Sequence, residues 1–151
     1  MDADGSDVPS EARHVLEPIL SGEADLVIGS RALGQAEPGS LRPIQRWGNG
    51  LAVTLIRWLF GFRYTDLGPF RALRRLSLRA LNLGDENYGW TVEIQVQAVR
   101  RGLRIREVPV SYRRRIGRSK ISGTLSGTLL AGAKILWTIF RLRLTRQPAR
   151  R

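Results

Sequence analysis

The six residues ADLVIG, Ala24 to Gly29, limit what this chain can become more than any other stretch. An apolar run this short reads as a strand buried on both faces, and such strands belong to sheets covered by helices. A helix is expected just before it. Asp7 is placed to cap that helix, Pro9 falls in its first turn, and Glu11 favours the positive end of its dipole. Val15, Leu16, Ile19 and Leu20 then form an apolar stripe, and Ser21 and Gly22 stop the helix. Helix, turn and apolar strand is the rhythm of an α/β fold with a parallel sheet. In such sheets ligands gather at the carboxyl ends of the strands, here Ser30 and Arg31.

The remaining elements follow from the same reading. Ala32 to Arg42 shifts to Gly, Pro, Gln and Ser and predicts a mobile loop. Arg42 to Phe60 predicts a helix with Ile44, Trp47, Leu51, Leu55, Trp58 and Leu59 on its apolar side, weakened by Gly48 and Gly50, with Trp47, Trp58 and Trp137 read as packing or interfacial residues. YTDLGPFRALRR, Tyr64 to Arg75, is a turn around Gly68 and Pro69 leading into a short strand. A further helix runs from about Trp90 to Arg101 and ends at Gly102. Leu103 to Tyr112 begins with strand alternation, and Thr124 to Leu144 is the last apolar element before a basic tail. The organisation expected is a main portion over 1–123 and a last amphipathic helix with its tail over 124–151.

Charge narrows the partners. There are 25 basic and 13 acidic residues, and only Lys120 and Lys134 among the basic ones are lysines. Arginine makes planar, two-pronged contacts to phosphates, so a phosphate-bearing partner is the first expectation: nucleic acid, anionic lipid or a phosphorylated metabolite. A preference for arginine codons is the bland alternative. With no cysteine, disulfides, thiolate metal sites and cysteine nucleophiles are excluded. The first fifteen residues are too acidic and polar for a secretory signal. The tract Leu125 to Phe140 carries Lys134 and falls short of the roughly 20 residues that span a bilayer, so it is not expected to cross a membrane but can lie on one.

Four constellations carry chemistry. Asp2 and Asp4, one residue apart, can aim two carboxylates at one Mg2+ or Mn2+ and leave its other positions for a diphosphate, although acidic pairs in loops are often merely solvated. Arg31, at the ligand edge of the sheet, can clamp a phosphate or stand as a surface arginine. In TDLGPFR, Thr65 to Arg71, Asp66 can act as a base, orient an acceptor or cap a turn, and Arg71 can bind a phosphate. In RRRIGRSKISG, five cations (Arg113, Arg114, Arg115, Arg118, Lys120) flank Gly117 and Ser119, the make-up of a phosphate-embracing loop or a solvated charge run. Trp90 and Glu93 are candidates to line an acceptor site, with core and cap roles as alternatives. His14, the only histidine, reads as a helix residue.

Taken in order, the segments DADGSD, GEADLVIGSR, TDLGPFRALRR and YGWTVEIQVQAVRRGLRIREVPVSYRRRIGRSKISGT resemble the inverting GT-A-type glycosyltransferases similar to dolichyl-phosphate mannose and glucose synthases. The likeness covers about 1–139. It implies a GT-A (Rossmann-like) fold and metal-assisted transfer of a sugar from a nucleotide sugar to a polyprenyl phosphate, at the cytoplasmic face of the membrane. Asp2 and Asp4 look like that family's metal-binding DxD, and Arg31 like its arginine reaching donor and acceptor phosphates. Asp66 matches the acidic position near the reacting centre. Arg115, Ser119 and Lys120 match the R-x-G-x-S-K loop that closes over the site.

The family also places a nucleotide-binding half before its DxD, and optional membrane helices after the last element. Neither is seen here. Met1 then reads as an internal methionine, and the chain as a carboxyl-terminal portion lacking the first strands, through truncation or a misplaced start, which leaves open whether it is active alone. The alternative reading is a non-catalytic basic remnant binding anionic lipid or nucleic acid. Nucleic acid is not expected, because aromatics for base stacking are sparse around Arg113 to Lys120. The sugar, the nucleotide base, the lipid length and the oligomeric state are not readable from the sequence.

Overall fold

A computed structural model describes residues 1–2, 4–85, 89–116 and 125–145. A single 3-10 turn, Pro9–Glu11, leads into α1 (Ala12–Leu20), followed by β1 (Leu26–Ser30), α2 (Pro43–Phe60), β2 (Arg71–Leu73), α3 (Arg75–Leu81), α4 (Trp90–Arg100), β3 (Ile105–Pro109) and α5 (Leu125–Leu144). The sheet runs β2-β1-β3. β1 and β3 are parallel, with Leu26 opposite Ile105 and Ser30 opposite Pro109, as the helix–strand rhythm predicts. β2, however, is antiparallel to β1, with Leu26 opposite Leu73. The sheet is therefore mixed: after α2, the turn at Gly68 and Pro69 lays β2 beside β1 in the opposite direction.

Every residue of β1 is buried, as a central strand with both faces covered must be. Its alternation divides the interior. Leu26 and Ile28 join Ala52 and Ile56 of α2, Val92 and Val96 of α4, and Ile139 and Leu142 of α5 in the main core. Val27 faces the other way, into a smaller cluster with Val15 of α1, Ala24, Phe70 and Val110.

Three expectations are corrected. Asp7 does not cap the first helix, because Val8 precedes the 3-10 turn and Asp7 instead forms an antiparallel bridge with Tyr112 that turns its carboxylate inward. The buried side of α2 is carried by Ala52 and Ile56, with Leu55 and Leu59 packed partly against it, while Trp47 is 71% and Trp58 78% exposed. The apolar pattern of α2 is wide, and packing selected the edge where the small Ala52 lets the helix approach the sheet. The loop from Ala32 to Arg42 is pinned rather than loose. The Tyr112 amide donates to the Gln35 carbonyl at 2.9 Å, the Glu37 amide to the Tyr112 carbonyl at 2.8 Å, and the Arg114 amide to the Glu37 carboxylate at 2.9 Å.

α2 opens with Pro43 at its first position and the Gln45 side chain accepting the Arg42 amide at 2.9 Å. Gly61 closes it in the left-handed region, at φ 76°. α5 packs against α2 and α4 and buries Thr138, Ile139 and Leu142. Its opposite side exposes Leu130, Trp137, Phe140 and Leu144, so the helix is apolar on two sides.

Candidate functional site

The site lies beyond the carboxyl end of β1, where the strand delivers Arg31. The Arg31 guanidinium grips Asp66 with two prongs, Nε to Oδ2 and Nη2 to Oδ1, each at 2.7 Å, and the Arg31 amide adds a third bond to Oδ2 at 2.9 Å. Tyr112 covers the guanidinium, with its ring centre 5.0 Å from Cζ. Burial acts to lower the pKa of Arg31, but the bonds to Asp66 outweigh it and the net direction is up. Asp66 is 2% exposed and both its oxygens are taken, so it holds Arg31 in place and is not poised as a free base.

The Thr65–Asp66 turn that aims this carboxylate is stitched from four elements. Glu107 of β3 accepts the Thr65 amide at 3.0 Å, the Thr65 hydroxyl at 2.9 Å and the Asp66 amide at 3.2 Å. Ser30 of β1 meets the Thr65 hydroxyl at 2.7 Å, Gln95 of α4 donates to the Asp66 carbonyl at 3.0 Å, and Asn49 of α2 accepts the Leu67 amide at 2.9 Å. None of Glu107, Gln95, Asn49 and Tyr112 was singled out by the sequence reading. The available signal was a polar side chain placed among apolar ones on each element.

Arg71, the first residue of β2, is handled differently. It donates to the Thr91 hydroxyl at 3.0 Å, the Thr91 carbonyl at 3.3 Å and the Pro69 carbonyl at 3.3 Å, and lies 5.3 Å from the Trp90 ring centre. Among the described residues it has no carboxylate within ion-pair distance. Burial pushes its pKa down to about 10, with Asp2 opposing that shift. No ion pair among the described residues therefore cancels its charge.

The amino-terminal carboxylates lie alongside. Asp4 accepts the Ser6 amide at 2.9 Å and the Ser6 hydroxyl through Oδ1; its Oδ2 takes Arg115 Nε at 2.8 Å and Nη2 as well. Burial acts to raise the pKa of Asp4, yet the bonds from Ser6 and Arg115 bring it down on balance. The two segments are zipped by backbone bonds, Arg113 amide to Ser6 carbonyl and Ile116 amide to Asp4 carbonyl, both 2.8 Å. Asp7 accepts the Asp2 amide at 2.8 Å, while its Oδ1 is buried with no hydrogen-bond partner among the described residues, and burial raises its pKa.

Among the described residues no group of three or more Asp, Glu, His or Cys is arranged to hold a metal. The carboxylate oxygens of Asp2 and Asp4 are donors of the type a hard cation takes, and both oxygens of Asp4 are engaged here by Ser6 and Arg115.

Of the candidates from the sequence, the structure gathers Asp2, Asp4, Arg31, Asp66, Arg71, Trp90 and Arg115 into this region. Glu93 is spent elsewhere. It is buried and accepts the Gly84 amide at 3.1 Å, the Asp85 amide at 2.8 Å and Arg141 at 3.2 Å, a strut between the 84–85 segment and α5. Ser119 and Lys120, with Gly117 and Arg118, lie outside the described residues.

Carboxylates and arginines thus meet at the carboxyl end of β1, the edge where ligands of α/β sheets gather. Comparison with known proteins finds relatives among glycosyltransferases. The chain is 35% identical over 158 residues to the undecaprenyl-phosphate mannosyltransferase of Micrococcus luteus, covering 95% of this chain and 63% of that protein. It is 33% identical to the polyprenol monophosphomannose synthase of Mycolicibacterium smegmatis (82% and 48%) and 31% identical to an uncharacterised glycosyltransferase of Mycobacterium tuberculosis (87% and 59%). The chain is thus homologous, over most of its length, to glycosyltransferases of the dolichyl-phosphate mannose synthase type. It spans roughly half to two thirds of the length of these relatives. No family model and no solved structure matches it.

Proposed function

We propose that the chain forms the acceptor-side portion of a GT-A glycosyltransferase that moves a hexose from a nucleotide-diphosphate sugar to a polyprenyl phosphate with inversion. The observation that carries the reading is the pairing of Asp4 with Arg115, which joins the acidic motif to the arginine-rich segment beside the Arg31–Asp66 pair. In this chemistry a phosphate oxygen of the acceptor attacks the anomeric carbon, the bond from that carbon to the diphosphate breaks, and the nucleoside diphosphate leaves. The nucleophile is already ionised, so no proton has to move, in keeping with an Asp66 that is fully engaged.

Arg71 supplies positive charge to a phosphate, and Arg31, neutralised by Asp66, supplies direction through its remaining N–H groups. Asp2 and Asp4 would hold Mg2+ or Mn2+, which when bound neutralises charge on a leaving diphosphate. The test is transfer of radiolabelled mannose and other hexoses from their nucleotide diphosphates to polyprenyl phosphate, by the complete gene product with manganese. Transfer lost in Asp4→Asn supports the reading, whereas no transfer from any donor overturns it.

Peripheral contact with the anionic, cytoplasmic face of a membrane is the second part of the proposal. Among the described residues no helix is long and apolar enough to cross a membrane. The adjacent helices α2 and α5 instead present Trp47, Trp58, Leu130, Trp137 and Leu144 outward, with Arg46, Arg57, Arg141 and Arg143 next to or near them in sequence. Exposed tryptophan with arginine suits the interface of an anionic bilayer. Co-sedimentation with phosphatidylglycerol vesicles is expected for the wild type and reduced in a Trp47→Ser, Trp58→Ser variant. Equal binding by both removes α2 from the contact.

A further inference from the structure

We infer that Glu107 is a positioning residue for phosphate binding, acting through the Thr65–Asp66 turn to set the direction of Arg31. The inference rests on the proposed function only in taking a phosphate group as the ligand.

Glu107 stands on β3 opposite Ile28 of β1. A half-buried carboxylate is costly unless hydrogen bonds compensate it, and among the described residues those of Glu107 come from the turn. Its Oε1 takes the Asp66 amide and the Thr65 hydroxyl, and both oxygens lie 3.0 Å from the Thr65 amide. The carboxylate therefore clamps the two consecutive residues that lead to the Asp66 side chain. Gln95 and Asn49 hold the following carbonyl and amide. With the backbone of Asp66 fixed on both sides, its carboxylate has one direction, and that direction is Arg31.

Arg31 has little net charge to offer while paired, so its value to an anion is geometric. Two of its nitrogens are committed to Asp66, and Tyr112 bounds one face of the guanidinium. A turn that drifts carries the ion pair with it, since the pair itself survives, and the remaining N–H groups lose their aim. Glu107 is thus one residue removed from the anion, and its loss is expected to weaken binding without exposing a new charge.

The experiment is a double-mutant cycle on the intact chain, reading inorganic pyrophosphate affinity by calorimetry and folding by thermal melting. Glu107→Gln puts an amide N–H against the Thr65 amide and is expected to weaken pyrophosphate binding about tenfold, the scale of one unsatisfied buried polar contact. Arg31→Ala is expected to weaken it at least as much, and the double variant no further than Arg31→Ala alone. A purely structural Glu107 would weaken the Arg31→Ala protein again by the same factor, so additive losses overturn the inference. So does a wild type that does not bind pyrophosphate, or a Glu107→Gln variant that binds it unchanged. Should Glu107→Gln fail to fold, Thr65→Val, which removes only the hydroxyl bond, enters the same cycle with the same criteria. Transfer activity is not read, so failure of the proposed reaction and failure of this relay are separable.

Discussion

Nε of Arg115 lies 2.8 Å from Oδ2 of Asp4, joining residues 111 positions apart. The pair makes the acidic motif and the arginine-rich segment one electrostatic unit, and it sets Arg115 on an oxygen that a divalent cation would also seek. Asp4→Asn is expected to cost no more than about 1 kcal/mol of stability, because Arg115 is open to solvent and can be hydrated. Manganese affinity, measured by calorimetry on the same variant, is expected to fall at least tenfold, on the order of one lost charged ligand. An unchanged affinity would remove Asp4 from the cation site.

The Arg31–Asp66 pair is a different case, because both side chains are largely buried. Removing one partner strands the other, which costs about 3–5 kcal/mol in buried pairs. Asp66→Asn is therefore expected to lower unfolding free energy far more than Asp4→Asn does. Urea denaturation of both variants checks the order, and equal midpoints would contradict the burial argument.

Asp25 gives the fold an acid limit. The hydrogen bonds from Arg104, one of them 2.9 Å from Nη2 to Oδ1, hold its pKa down to about 2. A carboxyl group whose folded pKa lies below its unfolded value stabilises above the unfolded pKa, and the contribution is lost as pH falls from about 3.8 to about 2. Solvent reaches Arg104, so the expected loss is screened to about 1 kcal/mol. Asp25→Asn should flatten this part of the stability curve, as followed by urea midpoints between pH 5 and pH 2.

Two glycines predict opposite signs. A Cβ on Gly68 would sit 2.4 Å from the Gly29 carbonyl oxygen, inside the turn that supports Asp66. Gly68→Ala is expected to destabilise by about 1–3 kcal/mol, the usual range for overpacking. Gly50, exposed within α2, would meet nothing within 4 Å. Gly50→Ala should stabilise by up to about 1 kcal/mol through helix propensity. Thermal melts of the two variants decide both.

The sequence alone determined most of the elements, though not α3, and the chemistry at hand. Hydrophobic period marks α2 and α4, Gly102 marks the end of α4, and the apolar run at Leu26 marks the central strand, because these signals are local and depend only on neighbouring residues. Asp4, Arg31, Asp66 and Arg71 stand out by residue type in short motifs. Tertiary structure alone decided which charges cancel. Arg31 and Asp66 are 35 positions apart and Thr65 and Glu107 are 42 apart, distances closed by the register of β1 and β3 and by the loop that follows α2. The same holds for α2, whose wide apolar pattern is silent on whether Ala52 or Trp47 faces inward until the sheet, α4 and α5 fill one side. Burial makes a charge expensive and a cavity intolerable, and both penalties depend on what arrives from elsewhere in the chain.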